Sequence, residues 1–255
     1  MVGGVLALIG VFVAPPEAPA TSRPVQAVRS PKVMESTRST PPVRAEAPES
    51  AAPRLRVLGT VPSTGRGTFE YAAGRGSTVG RAGRLLRYRV AVEYGANENV
   101  GEFADAVEAT LSDRRSWIGG GDLRLQRVPR GDSYDFTVFL VTSGTAREMC
   151  AAVWVDIRVY GEPFTSCRGQ GKVIINLDRW KLSVDHFVEA KVSLDIYRKY
   201  VINHEVGHEL GNAHQRCPGA GMPAPVMMQQ TLFLKGCMAN PWPYLGGELH
   251  SGPQL

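Results

Sequence analysis

The stretch His204-Glu205-Val206-Gly207-His208-Glu209-Leu210-Gly211-Asn212-Ala213-His214 constrains this chain more than any other. It gathers three of the chain's five histidines into eleven residues. His204 and His208 are four apart, so on a helix they share a face, about one turn from each other. Two imidazoles placed this way can share one metal ion at roughly 2.0–2.1 Å. Glu205, beside the first of them, reaches a water at that ion without ligating it, the position of a general base. Gly211 accommodates positive φ, so the helix can stop there and the chain can double back. That reversal brings His214 in from a third direction. Three protein ligands leave a position for water, which is the arrangement of a catalytic zinc site rather than a structural one. A buried helix with hydrogen-bonded core histidines is the plainer reading. The fixed offsets of Gly211 and His214 speak against it.

These eleven residues are similar to the signature of the metzincin metallopeptidases, in many of which a glycine also stands where Gly207 does. The resemblance implies a tight turn with a methionine beneath the metal. Within Ala224-Pro225-Val226-Met227-Met228-Gln229-Gln230, Met227 suits that role; ordinary core filling is the alternative for the methionine pair. Residues from about 85 to 243 resemble, more closely, a family of secreted metzincin-like domains from high-GC Gram-positive bacteria. The shared features are Tyr197-Arg198-x-Tyr200 before Asn203-His204-Glu205, Cys217 after the third histidine, Ala224-Pro225-Val226-Met227, and Asn240-Pro241-Trp242-Pro243. The resemblance implies a fold and a peptidase-like site, and it implies no substrate. No tyrosine follows the methionine where some metzincins supply one, which leaves Tyr244 and His250 as helper residues by elimination.

A chain of 255 residues, 43% hydrophobic and 21% charged, suits one globular domain with extensions. Residues 2–14 are almost entirely apolar, too short a run for a comfortable membrane span. With Ala18-Pro19-Ala20 as a small-residue cleavage site, residues 1–20 read as a signal peptide, or as an anchor helix if the chain starts further upstream. Residues 21–53 are rich in Pro, Ala and Arg and lack aromatics, which makes them a disordered linker. Of the net charge of +5, four charges lie in 21–56, where seven Arg and Lys face three Glu. Such a tail is a solvated linker or touches an anionic envelope. No nucleic-acid module is present.

The four cysteines agree with secretion or another extracytoplasmic site. None forms a C-x-x-C pair, and three pairings are open. Cys150–Cys167 with Cys217–Cys237 is preferred because each closes a short loop. A free thiol capping the metal is the rival.

Periodicity places a lead-in over 54–84 with one extended piece at 68–71, and regular order from about Leu85. Residues 86–93 and 172–177 read as strands and 100–111 as a one-faced helix. Residues 123–128 and 135–141 read as a strand pair joined by a turn at Arg130-Gly131-Asp132. Residues 192–211 read as the long helix that carries the histidines, apolar on two sides and therefore buried between layers. Gly207 within it costs roughly 1 kcal/mol against Ala, which points to a close neighbour. Trp180 is a core residue or the floor of the cleft. Asn203 orients a ligand, caps, or lies at the surface.

The expected architecture is an α+β domain of zincin type over 85–245. It has a twisted mixed sheet on the helix, a short C-terminal subdomain carrying the methionine turn, and a tail at 246–255. The expected function is that of a secreted, monomeric metallopeptidase with one Zn²⁺ on His204, His208 and His214, Glu205 as base, and a peptide or protein as substrate. A zinc hydrolase of another amide, such as a cell-wall cross-link, is an alternative, as is an envelope-binding module that keeps the metal without turnover.

Overall fold

A computed structural model describes residues 52–255. The leader at 1–20 and all but the end of the linker at 21–53 lie outside the described residues. In chain order the elements are β1 (Phe69–Tyr71), β2 (Arg84–Glu93), α1 (Val100–Ser112), β3 (Leu123–Arg127), β4 (Phe136–Val141), α2 (Ser143–Ala151), β5 (Arg158–Val159), β6 (Glu162–Pro163), β7 (Cys167–Gly169), β8 (Lys172–Asn176), α3 (Leu177–Leu182), α4 (Asp185–Glu189), α5 (Leu194–Glu209), β9 (Tyr244–Leu245) and β10 (Glu248–Leu249). The domain is α+β, built on a mixed sheet in the order β1-β2-β4-β8-β7 with β3 also on β2.

The ten residues of β2 explain that branch: its first half pairs with β3 in parallel and its second half with β1 antiparallel. Here the sequence reading is corrected. The strands at 123–128 and 135–141 do form, but they do not pair with each other. β3 and β4 each run parallel to β2, on opposite sides of it. Parallel neighbours need a long connection, so the turn at Arg130-Gly131-Asp132 carries the chain past β2 rather than closing a hairpin.

Alternation along β2 buries Leu86, Tyr88, Val90 and Val92 on one face, where α1 and α5 pack. Asn99 caps α1 by accepting the Glu102 N–H at 3.0 Å, and Phe103, Ala104, Val107 and Leu111 form its buried stripe. A second core lies on the other face, where α2 brings Ala146 and Cys150 onto Ala91, Phe139, Val141 and Ile174. Covered on both sides, β4 is buried along its whole length and reads as an unbroken apolar run.

The lead-in has little regular structure but is tied down along its length. The Leu194 N–H donates to Arg54 O at 2.8 Å, Val57 N–H to Lys181 O at 2.8 Å, and Gly76 N–H to Arg127 O at 3.0 Å. The buried carboxylate of Glu93 holds the rest. It accepts from Gly67 N at 2.8 Å, Thr142 N and Thr142 Oγ1 at 2.9 Å, and Thr145 Oγ1 at 2.6 Å. One acid thus joins the lead-in to the start of α2, where negative charge also meets the positive end of the helix. Regular order therefore starts before Leu85, with β1 and a bridge from Val79 to Leu125.

Both local cysteine pairs are disulfides, Cys150–Cys167 and Cys217–Cys237, and no free cysteine is left. The bridges fit an extracytoplasmic site, and they leave no thiol to cap a metal. Among the described residues no helix is long and apolar enough to cross a membrane.

Candidate metal centre

Helix α5 is capped by Ser193, whose hydroxyl accepts the Ile196 N–H at 3.3 Å, and runs from Leu194 to Glu209 with every residue from Tyr200 to Gly207 buried. His204 and His208 stand on one face with ring centroids 4.8 Å apart. After Leu210 the chain reverses at Gly211, whose φ of +94° is the left-handed conformation that glycine adopts without strain. The turn is closed by Asn212 N–H donating to Gly207 O at 2.9 Å. His214 then returns over the helix, its Nε2 3.0 Å from Nε2 of His208 and its ring 5.4 Å from that of His204. One ligand atom from each of the three rings lies within 4.8 Å of the others.

The outer nitrogens set the tautomers. A carbonyl can only accept, so Nδ1–H of His204 donates to Val226 O at 2.8 Å and Nδ1–H of His208 to Asn212 O at 2.8 Å. Each Nε2 is left with its lone pair. Burial, reinforced by the neighbouring imidazoles, lowers His204 to about 3 and His214 to about 4; burial also lowers His208. All three rings are therefore neutral at ordinary pH, which is the form that ligates. This donor set fits a divalent cation that accepts imidazole nitrogen, and zinc is one such ion.

Glu205 opens onto the same cavity, of about 470 Å³, as the three histidines. It is 6% exposed, and burial raises its carboxyl to about 8. Beneath the helix the tolerance is tight at Gly207. A Cβ there would fall 2.4 Å from Met227 Sδ and 2.5 Å from Trp117 Cζ2. Met227 thus lies directly under the turn of α5 between the first two histidines, and Val226 beside it holds the first. Asn203 is buried. Its amide donates to Pro241 O at 2.9 Å, its Oδ1 accepts from Ser116 at 2.7 Å, and its carbonyl accepts from the Trp117 indole at 2.8 Å. It fastens α5 to two loops and neither caps the helix nor touches the histidines.

Trp180 is core, edge-on to Phe103 at 4.9 Å, and does not line the cavity. Tyr244 and His250 are also elsewhere. Tyr244 lines a separate cavity of about 590 Å³ with Trp117, Asp122 and Glu209, and His250 Nε2 is 2.8 Å from Pro223 O. The sequence reading missed the far wall of the histidine cavity, formed by Val155 and Asp156 and by the end of β7. Arg168 on β7 faces the cavity while its Nε donates to Glu209 at 2.7 Å, which ties the edge strand to the end of α5. An arginine beside a cysteine in a three-residue strand carries no pattern that would have marked it.

No curated protein and no solved structure shows significant similarity to the chain. A family model described as "Protein of unknown function (DUF3152)" matches residues 56–245. The match begins where the lead-in is tied to α3 and ends with β9, so it takes in the sheet, α5, the third histidine and the segment under them. The chain belongs to the DUF3152 family.

Proposed function

We propose that this chain is an exported metallopeptidase of metzincin type with one zinc ion held by His204, His208 and His214. The observation that carries the reading is the convergence of three neutral imidazoles and one buried carboxyl on a single cavity. The α+β sheet and the methionine under the helix support it, as the resemblance to metzincins implies them. So does the edge strand β7, which lies along the cavity with one side unpaired and suits an extended peptide.

The bound ion would polarise the scissile carbonyl and make a neighbouring water acidic. Glu205 does the proton work. It takes a proton from the attacking water and hands it to the leaving amine, and a carboxyl held near neutrality suits both steps. His204 and His208 are oriented by the carbonyls of Val226 and Asn212, so the site is built before substrate arrives. Arg168 stands where a guanidinium can hold a substrate carbonyl or carboxylate. Kinetics test the assignment. Glu205→Ala should keep its metal and lose nearly all turnover of peptide, and turnover at the parent rate would show that the base is another group.

A further inference from the structure

On the sheet face opposite α5, α2 packs over Ala91, Phe139, Val141 and Ile174. Beyond those residues the same face carries cations. Residues paired across strands share a face, which puts Arg124 beside Leu85 and Gln126 beside Arg87. Arg89, Thr137 and Lys172 stand in line across β2, β4 and β8. Arg130 comes over from the β3–β4 connection, 5.0 Å from the Tyr71 ring.

Arg89 is the best-fixed member. Its guanidinium lies 3.3 Å over Tyr134 and 5.1 Å from Tyr71, its Nε donates to Thr137 at 3.3 Å, and its Nη1 donates to Arg130 O at 3.1 Å. Stacking and two hydrogen bonds hold the group in place and leave its other N–H donors free. None of Arg87, Arg89, Arg124, Arg130 and Lys172 has an ion-pair partner among the described residues. The nearby acids are engaged. Asp132 pairs with Arg75, while Asp135 accepts the Arg87 backbone N–H at 2.7 Å and lies 4.0 Å from Arg84.

Folding does not call for this cluster. Strand register is set by the apolar face, and like charges on neighbouring strands repel. We infer that this sheet face is a docking surface for an anionic polymer of the cell envelope that carries phosphodiester groups along an extended backbone. Guanidinium forks match phosphate oxygens in pairs, and several of them at fixed spacing select a chain of phosphates over a single one. Charge excludes the other occupants. A second copy brings the same cations, and the linker at 21–53 is itself basic. Tyr134, at 47% exposure, lies under the Arg89 guanidinium, so it offers a bilayer no free apolar wedge. The disulfides place the chain outside the cytoplasm, away from nucleic acid. The histidine cavity lies between α5 and the β7 edge and none of these five cations lines it, so a docked polymer leaves it open and tethers the site in the envelope.

The test uses the full chain, with synthetic poly(glycerol phosphate), poly-L-glutamate and phosphatidylglycerol vesicles as probes. The variant is Arg87→Ser, Arg124→Ser and Lys172→Ser together, with the basic linker left intact. Binding of the phosphodiester polymer should weaken at least about tenfold in the variant, and the slope of log affinity against log salt should fall by about 2. His208→Ala should bind the polymer as the parent does, so loss of the peptidase reading would not touch this one. Unchanged polymer binding in the variant would assign it to the linker and overturn the proposal. Equal or tighter binding of the parent to poly-L-glutamate or to the vesicles would overturn it as well.

Discussion

The two disulfide loops are close in length and opposite in use. Cys150–Cys167 spans 17 residues and Cys217–Cys237 spans 20. The first encloses the β5–β6 hairpin, and its Trp154 and Tyr160 stand fully in solvent, both with positive φ. Its two ends, Val155 and Asp156 on one side and Thr165, Ser166 and Cys167 on the other, line the wall of the histidine cavity. The second loop encloses Ala224, Pro225, Val226, Met227 and Met228, all buried, and presses them up against α5. One bridge fastens a wall at the rim of the site, and the other fastens its floor. Equal entropy in the unfolded chain therefore goes with unequal effects on the site.

Removing each bridge breaks the comparison most directly. Cys217→Ser with Cys237→Ser should cost about 3 kcal/mol of stability and release the metal, because the Val226 carbonyl that orients His204 loses its support. Cys150→Ser with Cys167→Ser should cost a similar 3 kcal/mol or so but leave metal content unchanged. Urea unfolding and metal analysis of both pairs would decide. Metal loss from both, or from neither, would dissolve the distinction between floor and wall.

Single substitutions in the floor come next. Gly207→Ala drives a methyl into Met227 and the rigid Trp117 ring, and should destabilise by about 2 kcal/mol despite the better helix propensity of Ala. Met227→Leu nearly conserves volume and should cost less than about 1.5 kcal/mol with the metal retained. A larger loss would give the sulfur a role beyond packing. The smallest effect belongs to the wall. Trp154→Gly should change stability by no more than about 0.5 kcal/mol, since the side chain is 97% exposed and glycine suits its left-handed backbone.

How far the sequence foretold this follows the range of each interaction. Helix α5, its stop at Gly211 and the approach of His214 are local, set by spacings of four to ten residues, and they were readable as a string. The one-faced helix α1 and the strands β2 and β8 were readable for the same reason. The partners of β3 and β4 were not, because a parallel register is decided by helices packing over a distant strand and leaves no turn signature. The anchoring of the lead-in was hidden as well. Its order comes from backbone hydrogen bonds and from Glu93, an acid at a strand end that looks like any surface residue until Thr142 and Thr145 are brought to it. Asn203 was misjudged for a related reason: the groups it binds, Ser116 and Pro241, lie 87 and 38 residues away.

The most direct measurement is metal content by plasma mass spectrometry on the oxidised protein, beside His208→Ala. The account predicts about one zinc ion per chain in the parent, lost in the variant while the fold persists. A well-folded parent that binds no metal even after zinc is supplied would contradict it, and the three imidazoles would then be packing groups at the end of a buried helix.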